Sequence, residues 1–103
     1  MNKSAAQYSD TLALNRACQT LWLATLSLMT AFMHLQGPAQ RYLIARRIGK
    51  NFATLCVQAC FSVECRKTFH RLSDHWHAKA DRLAPNRDHD SDRHQGGLVN
   101  FAR

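Results

Sequence analysis

Glycine and proline are scarce, at four and two residues in 103. An all-β sandwich or barrel needs them at regular intervals to turn its strands, so that architecture is excluded and an all-α single domain is expected. Acidic residues are also few, seven Asp and Glu in all, and Glu64 is the one glutamate. Paired carboxylates, a Gly-rich phosphate loop, an HExxH pair and a serine elbow are all missing, so the chain reads as non-enzymatic with no cofactor implied. A secretory signal is missing too: Asp10 interrupts the amino-terminal region and no small-x-small cleavage site follows Leu35. Cys18, Cys56, Cys60 and Cys65 are therefore expected as reduced thiols of a cytoplasmic protein, packing as small core residues.

What the chain does have is helical periodicity. Beyond a flexible polar segment at 1–8, Ser9 or Asp10 offers a helix N-cap. Leu14, Cys18, Leu21, Thr25, Leu28, Phe32 and Leu35 then recur at alternating spacings of four and three. Trp22, Leu26, Met29 and Met33 widen that stripe, so this helix is apolar on more than one side. Gly37-Pro38 ends it, with Gly suited to a left-handed position past the helix and Pro to the start of the next, which predicts an antiparallel helical hairpin. From Ala45 through Ile48, Phe52, Leu55, Ala59, Ser62, Arg66, Phe69, Ser73, Trp76 and Ala80 to Leu83 the three-four repeat never lapses, which predicts one long second helix over 38–84. Ser62, Arg66 and Ser73 are polar intrusions in that seam, and a break near Phe61-Ser62 is the alternative, with Ser62 capping a third helix over 63–83.

The helical domain thus spans 9–84, and the residues after it, 85–103, form a tail expected to be disordered, since 86–97 contain no apolar residue. A lone hairpin leaves apolar flanks exposed. Pairing of two hairpins into a dimeric four-helix bundle, with Leu21, Trp22, Leu28, Phe32, Ile48, Phe52 and Leu55 as the dimer core, is the simplest cover.

Lys and Arg number 14, giving a formal charge of +7, so acidic partners of any kind are favoured. The primary expectation is a small basic interaction module, an adaptor or modulator that offers an apolar strip of Phe61, Phe69, Leu72 and Trp76 to an unidentified protein partner. A second reading concerns Ile44 to Gln58, where Ala45 and Gly49 stand at the separation of a helix-turn-helix, which this segment resembles. The resemblance implies a DNA-binding regulator with a turn at Gly49, Arg46, Arg47 and Lys50 on phosphates, and Asn51, Thr54 and Gln58 facing the major groove. Ala45, Ile48, Phe52 and Leu55 also read as one continuous helical stripe with no turn at all.

A third reading starts from 17–40, which carry no formal charge. A membrane-associated or single-span protein through 17–36 would lie in an inner membrane with its carboxyl-terminal side cytoplasmic, because Arg41, Arg46, Arg47 and Lys50 follow. Gln19, Thr20, Thr25, Ser27, Thr30 and His34 interrupt the segment, which favours a buried helix. Cys56, Cys60 and Cys65 with His70, His75 and His77 lack the spacing of a metal site, and His34 is expected to reach the last carbonyls of the first helix.

Overall fold

The computed structural model describes residues 2–85, with side chains from residue 5 onward. Over this span the chain folds into three helices, α1 (Asn2–His34), α2 (Pro38–Leu55) and α3 (Val63–Leu83). The tail expected to be disordered lies outside the described residues from 86 onward.

No glycine or proline occurs before Gly37, so nothing interrupts α1 over 33 residues, about 50 Å at 1.5 Å per residue. It starts at Asn2, ahead of the cap expected at Ser9 or Asp10, because Ala5-Ala6-Gln7 is favourable helix sequence with no breaker. Three of its threonines turn their hydroxyls back on the helix: Thr25 Oγ1 donates to the Leu21 carbonyl at 2.7 Å, Thr11 Oγ1 to that of Gln7 at 2.9 Å and Thr30 Oγ1 to that of Leu26 at 3.2 Å. Thr25 can be fully buried for this reason.

The end of α1 corrects two expectations. Gly37 is not left-handed: its φ of −68° and ψ of 126° are extended, and it serves as the N-cap of α2, with Pro38 opening that helix. The last carbonyls of α1 are bonded not by His34, which is exposed, but by Arg41 from the first turn of α2. Its Nη1 donates to the carbonyls of Phe32 at 3.1 Å and Leu35 at 2.9 Å, and the guanidinium sits 4.0 Å from the centre of the Phe32 ring.

The long second helix breaks. After Leu55 the chain turns over 56–62, bonded locally from Gln58 N to the Leu55 carbonyl and from Phe61 N to the Gln58 carbonyl. Ser62 then caps α3, its Oγ accepting from Cys65 N at 3.1 Å. A straight continuation would carry Phe69 and Trp76 into solvent. Folding back buries both against α1 and α2, and the gain from two aromatic side chains outweighs an uninterrupted helix.

The central element is α2, packed most extensively on α3 and also on α1. The core comprises Phe32, Ala45, Ile48, Phe52, Leu55, Phe69, Trp76 and Ala80, with Leu21, Trp22 and Leu28 packed against it. Every residue expected to form a dimer core therefore lies in or against the core of a single chain, because α3 supplies the cover assigned to a second hairpin. Aromatic contacts join the three helices: Trp22 lies 5.2 Å from Phe69 and 5.9 Å from Phe52 between ring centroids, and Phe32 meets Trp76 edge-on at 5.1 Å.

Candidate functional site

At Gly49 α2 and α3 approach closely. The helix runs straight through it, so the turn implied by the helix-turn-helix resemblance is not formed. The absent side chain serves packing instead: a Cβ on Gly49 would lie 3.0 Å from His77 Nδ1 and 3.1 Å from Cε1. Ser73 Oγ donates to the Gly49 carbonyl at 3.0 Å, which explains a buried serine in the seam. His77 Nδ1 is 2.9 Å from the Ser73 carbonyl, and a carbonyl only accepts, so Nδ1 carries the proton. With that nitrogen protonated and the Ser73 hydroxyl bonded to Gly49, the 3.2 Å approach of Ser73 Oγ to His77 Nδ1 is not a nucleophile poised on its base.

The six residues assigned to nucleic acid divide. Arg46, Arg47 and Lys50 are exposed and line one cavity of about 380 Å³ between α1 and α2, with Leu28, Leu43 and Ile44. Asn51 is buried among the core residues of α2 instead of facing outward. Thr54 is exposed, while Gln58 lies in the turn after α2 and donates from Nε2 to the Thr54 carbonyl at 3.0 Å.

The apolar strip divides as well. Phe69 and Trp76 are buried in the core, so they are not available to a partner. Phe61 and Leu72 are half-buried and line a cleft of about 320 Å³ between α1 and α3, whose other walls include Trp22, Cys65 and Thr68. Lys79 is half-buried, with its ammonium 5.8 Å from the centre of the Phe32 ring.

A further surface includes Leu26 and Met33, two of the residues that widen the apolar stripe of this helix. On the side of α1 away from the core, Leu23 is 62% exposed, Leu26 39% and Met33 78%, and Leu12 continues the stripe toward the amino terminus at 42%. Residues 5–17 are exposed except for Asn15, which is half-buried, so this half of α1 is largely uncovered by α2 and α3. The available signal was the spacing of Leu12, Leu26 and Met33 at multiples of seven, a second period beside the buried one.

Cys18 is the buried cysteine. Burial, and then hydrogen bonding to and the proximity of Cys60, push its thiol up to about 11. Among the described residues no three His, Cys, Asp or Glu side chains gather where they could hold a metal ion. Nor is any described helix long and apolar enough to cross a membrane, which overturns the reading of 17–36 as a span.

No known protein family, curated protein or solved structure matches the chain.

Proposed function

We propose that this chain is a small basic protein-interaction module, a non-enzymatic adaptor or regulatory modulator, that works as a homodimer joined along the outer face of α1. The observation that carries this reading is the exposed stripe of Leu23, Leu26 and Met33. Two copies at +7 repel wherever their Arg and Lys side chains meet. The stripe lies within 17–40, which carry no formal charge, so pairing there brings the chains together with least repulsion. A seven-residue spacing is what two helices wrapped on each other require, and a twofold axis uses the same patch on both copies. The cleft at Phe61 and Leu72 stays open in such a pair, for an apolar helical segment of a protein partner.

Light scattering on protein purified from a detergent-free, nuclease-treated lysate at moderate salt should give a two-chain mass. Leu23→Glu combined with Leu26→Glu should give a one-chain mass with unchanged circular dichroism, since neither residue belongs to the core. A one-chain mass for the unsubstituted protein removes the reading.

The convergence of Arg46, Arg47 and Lys50 on one cavity supports a second reading, a regulator that holds nucleic-acid phosphates there. Affinity for a DNA duplex should then fall steeply with salt, and replacing all three by Ala should reduce the log–log slope by roughly 2–3. Binding that does not respond to salt rejects this reading.

A further inference from the structure

Between Asp10 and Glu64 the chain has no acidic residue, so α1 beyond Asp10 and all of α2 carry positive formal charge only. Arg41 bonds the last carbonyls of α1, whereas Arg46, Arg47 and Lys50 stand around the cavity of about 380 Å³ between α1 and α2. Its other walls are the aliphatic side chains of Leu28, Leu43 and Ile44. Leu28 and Ile44 are half-buried and the three cations are exposed, so the charges stand toward solvent with aliphatic surface behind them. No carboxylate lines the cavity, and three positive charges without a lining counter-charge attract an anion there.

We propose that this cavity binds a phosphate monoester bearing a single alkyl chain, with the phosphate on Arg46, Arg47 and Lys50 and the chain against Leu28, Leu43 and Ile44. The walls select the body of the ligand. A nucleobase calls for an aromatic face or for hydrogen-bonding edges, and no aromatic, hydroxyl or amide side chain lines the cavity. An alkyl chain needs only apolar surface to leave water. The volume is at the small end of ligand pockets, which run from about 300 to 1,000 Å³, and suits one chain and not two. The charges select the head: a phosphate monoester carries about −1.5 to −2 at neutral pH and meets more of the three cations than a carboxylate does, and guanidinium groups hold its oxygens in pairs. The three cations are those of the nucleic-acid reading, but the inference does not rest on it. Nor does it rest on the dimer, because Leu23, Leu26 and Met33 do not line this cavity.

The full chain is titrated by calorimetry, at moderate salt, with decyl phosphate below its micelle concentration. One molecule should bind per chain, more than about tenfold tighter than inorganic phosphate, since burial of two methylenes alone accounts for that ratio. Decanoate, with a single charge, should bind more weakly than decyl phosphate, and decyl maltoside, with none, should not bind. Arg46→Ala, Arg47→Ala and Lys50→Ala combined should weaken decyl phosphate by more than about tenfold. Leu43→Ser, at an exposed position, should weaken it by about threefold or more and leave inorganic phosphate unchanged. Both variants should keep the circular dichroism of the parent. Equal affinity for decyl and inorganic phosphate would overturn the proposal, as would several molecules bound per chain with no response to the triple substitution. Pelleting with phosphatidic acid vesicles while monomeric decyl phosphate does not bind would assign the charges to a lipid surface. A DNA duplex bound where decyl phosphate is not would leave the nucleic-acid reading alone standing, and either result rejects the alkyl phosphate.

Discussion

Phe52→Ala should destabilise the fold by about 3–5 kcal/mol, the range for truncating a fully buried aromatic side chain. Phe52 is completely inaccessible and occupies the centre of the core, with Trp22 of α1 and Phe69 of α3 each 5.9 Å from its ring centroid. Truncation removes the surface through which α1 and α3 both hold α2, and the cavity cannot close without moving two aromatic side chains from different helices. A domain of this size has a total stability on the order of 5–10 kcal/mol, so the variant should sit near its unfolding transition at room temperature. Urea denaturation followed by circular dichroism measures the loss. Phe52→Leu, which keeps most of the volume, should lose less than half as much. A loss below about 1 kcal/mol for Phe52→Ala would mean that the three helices do not meet at this ring.

Gly49→Val should be destabilising by about 2–3 kcal/mol, for a reason located on another helix. The added Cβ would stand 3.0–3.2 Å from three atoms of the His77 ring. That ring cannot easily give way, because its Nδ1–H is bonded to the Ser73 carbonyl at 2.9 Å while the Ser73 hydroxyl is bonded back to Gly49. Helix propensity acts in the opposite direction, since replacing Gly by Ala inside a helix contributes about 1 kcal/mol. Gly49→Ala should therefore come out close to neutral, the propensity gain set against a shift of the ring by a few tenths of an ångström. Combining Gly49→Val with His77→Ala should recover a large part of the loss, and a double-mutant cycle gives the coupling directly. If α2 turned at Gly49 as a helix-turn-helix does, the cost would arise in the backbone, Gly49→Ala would itself be damaging and His77→Ala would recover nothing.

These two positions show how far periodicity carries. Phe52 stands in an unbroken three-four repeat, and its burial follows from that repeat whichever partner covers it. Gly49 is ambiguous as a letter: a turn, a flexible point in a helix and a close approach all call for the same residue. Only the arrival of His77 and Ser73 from 24 to 28 residues further on selects the third meaning. The same holds for the site residues. Arg46, Arg47 and Lys50 share a face because they lie on consecutive turns of one helix, which is local information. Phe69 and Trp76, read as an exposed strip, face inward because the chain reverses at 56–62, and no spacing within α3 reveals that reversal.

The sequence by itself determined that this protein is helical, that a hairpin forms at Gly37-Pro38 and which stripe of α1 turns inward from Cys18 onward, although Leu14 at the head of that stripe is exposed. Those features rest on breaker chemistry and on the 3.6-residue period, both of which act within a few residues. The tertiary structure alone decided that the second helical segment breaks and folds back, and that α3 covers the core assigned to a second chain. These depend on a competition between burying Phe69 and Trp76 and keeping one helix intact, and burial prevails because it removes two large aromatic side chains from water for the loss of about two helical turns over 56–62. The outer stripe of α1 is the apolar surface that this competition leaves unburied, and a second chain is what we propose to cover it.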